Sequence, residues 1–264
     1  MYGRNLSRLA PALLAAAILS TVPARGQTWN LAGSGDWNTP INWIGGVPNN
    51  SSAVVNFMNN ENATVNISSS VAAQILNFNS GNYTITSSAN QTLSSVQSIN
   101  VGSAVTGVET INLASIAGGS LLFPSLSTLV ITNSSTAAGT SLVIGPNTVI
   151  GTPGSGSVVV TGPGGTTISG SFAASPNNVV GGLFKDGPGA LVFSGSGANL
   201  AGGLTLNGGT LALNYSTNTA SKLAGGMLNL EGGVLSLVAN PARPKLPRQT
   251  RCKTARAIAS KAVA

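Results

Sequence analysis

Histidine is absent from this chain of 264 residues, and cysteine occurs once, at Cys252. Those two scarcities remove whole classes of chemistry. Histidine-dependent triads, conventional zinc centres and thiol nucleophiles in the body have no residues to build them. A body without cysteine has no disulfides either, so its stability must come from backbone ladders and stacking. Charge is also thin: Asp, Glu, Lys and Arg make up 6% of the chain, against about 25% in an ordinary soluble domain. Polarity is carried by Asn, Ser and Thr instead, and glycine, with 34 occurrences, is nearly double its usual share.

The formal charge of +7 would ordinarily point to an acidic partner, but it is gathered at the two ends. Arg4, Arg8 and Arg25 all lie before Gln27, and Arg243, Lys245, Arg248, Arg251, Lys253, Arg256 and Lys261 follow Ala239. Between them Lys185 and Lys222 face Asp36, Glu61, Glu109, Asp186 and Glu231, so the body carries 2 − 5 = −3. That balance argues against a nucleic-acid partner for the folded body. Arg4 and Arg8 precede an apolar run from Leu9 to Val22, and Ala24-Arg25-Gly26 supplies small residues for signal peptidase. The segment 1–26 therefore reads as a secretory signal, since a run from Leu9 to Val22 interrupted by Pro11 falls short of the roughly 20 needed to span a bilayer. No transmembrane segment is expected after its removal. The tail 240–264, with seven basic residues and no acid, is expected to be a disordered appendage with enough charge to cling to lipopolysaccharide or nucleic acid.

What fills the body, 27–239, is short alternating apolar runs, such as Thr64-Val65-Asn66-Ile67, Tyr83-Thr84-Ile85-Thr86 and Leu191-Val192-Phe193, each bounded by Gly, Asn, Ser or Pro. This is the period-2 signature of strands with turn punctuation, and no stretch carries a helical apolar period, so the body is all-β. Repetition selects between a sandwich or barrel of hairpins and a stack of coils. The unit Gly202-Gly203-Leu204-Thr205-Leu206-Asn207-Gly208-Gly209-Thr210-Leu211 recurs from Gly225-Gly226 through Gly232-Gly233, at an offset of 225 − 202 = 23 and with one residue added. Gly181-Gly182 opens another unit upstream, at an offset of 202 − 181 = 21. A unit of that length cannot bury its own apolar face, whereas stacked copies bury it continuously. The expectation is a β-solenoid of nine or ten coils at about 22 residues each, about 45 Å tall.

The segment Gly181 to Leu213, with Lys185, Gly187, Gly189 and Leu191 in a Lys-x-Gly-x-Gly-x-Leu core, resembles the autotransporter-associated β-strand repeat. Trp29, Gly35-Asp36-Trp37, Asn42-Trp43, Pro48 and Ile75-Leu76-Asn77-Phe78 resemble the opening of many such passengers. Together the two cover about half of the body. They imply a right-handed parallel β-helix of the pectin-lyase-like type, displayed outside a Gram-negative cell. In the repeat, Lys185, Gly187, Gly189, Leu191, Gly202, Gly203, Gly208, Gly209, Gly225, Gly226, Gly232 and Gly233 have structural roles. The chain departs from the family in carrying no translocator barrel, and the abrupt change at Asn240-Pro241 suggests a truncation or frameshift in the source gene.

Parallel β-helices also host polysaccharide lyases and hydrolases, so catalysis has to be judged on residues. The five acids of the body, Asp36, Glu61, Glu109, Asp186 and Glu231, are scattered along it, with no adjacent pair such as glycoside hydrolysis uses and no calcium-type cluster. The mature body has no Arg to neutralise a developing charge. Gly162 to Gly165 and Gly151-x-x-Gly154-x-Gly156 precede no helix and read as turns. Trp29, Trp37 and Trp43 either close the end of the core or form an aromatic platform for a glycan; closure is the preferred reading because a terminal coil must cover an apolar end. Lys185 and Asp186 read as a solvated turn. The sequence thus points to an exported structural or adhesive module of periplasm, cell surface or medium, with no catalysis, cofactor, metal or small-molecule substrate. Its expected partners are host or neighbouring-cell surfaces or glycans. The alternatives are a carbohydrate-active β-helix enzyme and a non-functional remnant.

Overall fold

The structure, a computed structural model, describes residues 26–59, 62–88, 90–113, 119–152, 154–172, 180–197, 200–223 and 226–239. The expected secretory signal up to Arg25, the basic tail 240–264, Glu61 and Gly225 lie outside the described residues. What is described is all-β apart from one turn of 3₁₀ helix, Pro40–Asn42, and its strands stack in parallel as a β-solenoid of about eight turns.

Each turn contributes a strand to a first sheet, then one to a second, and in the middle turns a short one to a third. The sheets hold ten, nine and five strands. The first runs through Val54–Phe57, Ile75–Phe78, Ser98–Val101, Thr128–Asn133, Ser157–Thr161, Leu183–Lys185 and Leu204–Leu206 to Leu228–Leu230. The second runs through Asn62–Ile67, Asn82–Ser87, Glu109–Asn112, Thr140–Ile144, Gly165–Ile168, Ala190–Phe193 and Thr210–Asn214 to Val234–Val238. The third, from Val71–Ala72 to Ser171–Phe172, flanks only the middle of the stack among the described residues.

Parallel registry turns the alternation of each strand into continuous rows. Val65, Ile85, Ile111, Ile144, Ile168, Phe193 and Leu213 sit one above another inside the second sheet. Val55, Leu76, Ile99, Ile131 and Val160 do the same inside the first. All are buried in one apolar core that extends from Trp29 to Leu213. β-Branched residues suit such rows because a stiff branched side chain packs well on a pleated surface.

The turns are longer and fewer than the nine or ten expected. Val54 pairs with Ile75 and Leu183 with Leu204, an interval of 21 in both cases, but Ser98 pairs with Val130, an interval of 130 − 98 = 32. The extra length sits in corners such as 102–108 and 134–139, and the strands they join stay in parallel registry apart from a bulge between Thr140 and Leu142, just after the second. Likewise the residue added in the last repeat is Met227: Leu204 pairs with Leu228, and Met227 is pushed out at the corner, exposed.

The corners also explain the glycines. A Cβ on Gly202 would come within 1.7 Å of the Gly181 carbonyl oxygen in the turn below, whereas one on Gly208 would meet nothing nearer than 3.6 Å. Gly202→Ala should therefore cost about 2–4 kcal/mol through forced separation of two turns. Gly208→Ala should be near neutral, and chemical denaturation of the two variants side by side checks the contrast.

Candidate functional site

At the N-terminal end, Trp43–Ile44 returns antiparallel along Gln27–Trp29 and closes the edge of the first sheet. Trp29, Trp37 and Trp43 are buried there, Trp43 meeting Trp29 edge-on at 5.0 Å and Trp37 at 4.9 Å. Phe57 continues the cluster and stacks on Phe78 of the next turn at 5.0 Å. The Trp37 indole donates to the Pro48 carbonyl at 2.8 Å and the Trp43 indole to the Trp37 carbonyl at 2.6 Å. Buried rings whose N–H groups are bonded to backbone cannot stack on a sugar unless the end of the core opens.

Lys185 departs from the solvated turn expected of it. It is buried in the inner row between Val160 and Leu206, and its Nζ donates to the carbonyls of Asp186 at 2.5 Å, Gly187 at 2.8 Å and Gly208 at 3.4 Å. Period-2 counting was the missed signal: Leu183 is inward, so Lys185 is too. Three donors on a flexible stem suit three carbonyls that the tight corners leave pointing inward. The remaining repeat residues take their places around it. Leu191 is buried in the next strand, and Gly187, Gly189, Gly202, Gly203, Gly208, Gly226, Gly232 and Gly233 lie at corners. Gly209 and Gly233, stacked on successive turns, hold φ of 68° and 80°, a conformation that disfavours other residues.

Lys222, which the sequence did not single out, is a second cation of this kind. It is buried, donates to Ser194, Gly195 and Asn218 carbonyls at 2.7, 2.5 and 3.1 Å, and lies over the rings of Phe193 and Tyr215 at 5.7 and 5.2 Å. Burial pushes the pKa of both lysines down, opposed at Lys185 by the neighbouring Asp186 carboxylate. Both amines are thus engaged by backbone carbonyls and not turned towards a substrate.

The third buried charge is Glu109. It takes an inward position beneath Leu142, where counting back from Ile111 would have placed it. Oε2 accepts the Tyr83 N–H at 2.7 Å and Oε1 has no partner among the described residues. Burial raises its pKa from 4.5 to about 8, against a smaller opposing effect of the Tyr83 N–H. Asp36 stands apart at the N-terminal edge, accepting from Asn38, Asn66 and Ser68. Among the described residues, no group of three or more acids and thiols is placed to hold a metal.

The outer faces carry repeated neutral polar rows beside apolar ones such as Val130, Val159 and Phe184. Asn56, Asn77 and Asn100 stack on the first sheet, each amide donating to the one below at 2.9 and 2.8 Å, and Thr132 and Thr161 extend the row. Thr64, Thr84 and Thr110 are in register on the second sheet. A groove of about 480 Å³ between turns is lined by Pro146, Ser169, Ser171, Ser194, Ser196, Thr217 and Asn218. Hydroxyls and amides at coil spacing present donors and acceptors without charge. Comparison of the chain with protein-family profiles, with curated proteins and with solved structures finds no match.

Glu109 makes stability depend on pH in one direction. A carboxyl with a folded pKa of about 8 and an unfolded value near 4.5 keeps its proton in the fold and loses it on unfolding, so its contribution is whole below about 4.5 and is lost as pH rises through about 8. With no histidine in the chain, no imidazole titrates in that window. Denaturation midpoints should fall by a few kcal/mol equivalent across it, and Glu109→Gln should flatten the curve.

Proposed function

We propose that the chain is an exported passenger-like module, of the kind built from autotransporter-associated repeats, that acts as a structural or adhesive element at the cell envelope without catalysing a reaction. The observation that supports this reading most is the set of uncharged amide and hydroxyl rows, Asn56-Asn77-Asn100-Thr132-Thr161 and Thr64-Thr84-Thr110, that repeat from turn to turn on the outer faces. Such a surface engages a partner through many weak polar contacts, and no single side chain dominates. Its natural partners are other extended, neutral, hydroxyl-rich surfaces, above all glycans of a host or neighbouring cell. The buried cations fit the same reading, because Lys185 and Lys222 are engaged by backbone carbonyls inside the stack.

The chain from Gln27 onward, immobilised, should retain cells or polysaccharide in proportion to the number of intact rows. Single substitutions such as Asn77→Ala or Thr84→Ala should lower retention less than about threefold each, and combined substitutions should abolish it progressively. Product release from a panel of pectins and related glycans would overturn the non-catalytic reading. Detection of the mature chain in the periplasm, the envelope or the medium after cell fractionation tests export.

A further inference from the structure

The two ends of the stack differ. At the N-terminal end the core is closed by tryptophans, the first sheet is edged by an antiparallel strand, and the second begins with the short strand Gly35–Asp36. At the other end the inward rows run out with nothing among the described residues over them. Leu206 and Leu213 are 1% and 2% exposed, yet Leu230 and Leu237, which occupy the same rows one turn on, are 54% and 67% exposed. Val234–Val238 forms the edge of the second sheet, with a row of backbone N–H and C=O groups facing outward along the stack.

That edge strand reads Val234-Leu235-Ser236-Leu237-Val238, the same in both directions about Ser236. Antiparallel pairing of two such strands sets Val on Val, Leu on Leu and Ser on Ser, and residues directly opposite share a face. The inward leucines of both copies therefore meet on one side, where Leu228 and Leu230 also lie. Glu231 is the only charged residue from Gly226 to Ala239, and its carboxylate accepts the Asn229 amide at 2.7 Å, so no opposed charges obstruct the contact. We infer that the C-terminal end of the solenoid is a self-association surface on which a second copy of the chain docks tail to tail, pairing Val234–Val238 across a two-fold axis at Ser236.

Alternative occupants fit less well. Head-to-tail growth is disfavoured because Trp43–Ile44 occupies the N-terminal edge of the first sheet, and the second sheet offers at that end only the two residues Gly35–Asp36 to pair with the five of Val234–Val238. The chain that follows places Pro241, Pro244 and Pro247 and seven cations after the edge. Proline lacks the N–H a ladder requires, and the cations would lie against leucines. An isologous contact closes on itself and leaves no further sticky end.

Sedimentation of the full chain across a concentration series should show a monomer–dimer equilibrium and no larger species. Leu237→Lys should shift it to monomer with an unchanged β-sheet circular dichroism spectrum. In a Cys252→Ser background, Ser236→Cys should form a covalent dimer with added oxidant, because directly opposed Cβ atoms lie about 5 Å apart, while Ile41→Cys at the closed end should not. A chain that stays monomeric throughout and fails to cross-link overturns the inference. So does a ladder of open-ended oligomers, and so does a dimer that appears only when the tail 240–264 is deleted.

Discussion

Registry between turns is the constraint on which the rest of the structure depends. A strand as short as these is marginal alone, and here each is held because a strand of the same phase lies above and below it. Once Leu183 sits on Leu204 and Thr166 on Leu191, inward residues are covered and outward ones are aligned whether or not their corners have equal length. This is why a short turn, Val54 to Ile75, and a long one, Ser98 to Val130, coexist in one stack. Corners absorb the difference while the ladder keeps its phase.

The same constraint accounts for the composition. Neighbouring turns are about 4.8 Å apart, so any residue type repeated in a row meets its own kind at contact distance. Like charges would repel all along the stack, whereas amides and hydroxyls can both donate and accept and so bond to copies of themselves. The Asn56, Asn77 and Asn100 ladder is that solution on the outer face, as are Gln74 donating to Gln97 at 3.1 Å and Asn82 to Asn62 at 2.6 Å. A chain with 6% charged residues is thus suited to stacking.

Fold class was legible in the sequence because period-2 alternation and the Gly-Gly repeats report registry directly; the offset from Gly181 to Gly202 is the offset from Leu183 to Leu204. Turn number was less legible, since corner insertions such as 102–108 leave no periodic trace and a mean taken from the clearest repeats overcounts the coils. Lys185 was misjudged for a related reason. Charge is a strong prior for solvent, and that prior outweighed the alternation that places Lys185 with Leu183; the same alternation, which places Glu109 with Ile111, was not applied to Glu109. Lys222 carried no such signal, since it lies outside any strand and only three-dimensional closure brings it to Ser194 and Gly195.

Lys222 occupies the part of the molecule where the backbone does least, on the third side, whereas Lys185 sits at the corner between the first and second sheets. The third sheet ends at Ser171–Phe172, and beyond it the described third side carries a single isolated bridge, Val180 to Leu200. Carbonyls that a ladder would have satisfied are left facing inward there, and an unsatisfied buried carbonyl costs about 1–3 kcal/mol. A lysine reaches several at once: Lys222 joins two carbonyls of one turn to a third from its own, and Lys185 joins the corner at Gly187 to the corner at Gly208. Each ammonium does with side-chain donors what strand N–H groups do in the middle of the stack. Neither needs a carboxylate, because convergent carbonyl dipoles supply the negative potential, and the rings of Phe193 and Tyr215 add to it at Lys222. Corners too short for strands can therefore be tight and glycine-rich without leaving their polar groups stranded, and the solenoid continues past the point where its third ladder stops.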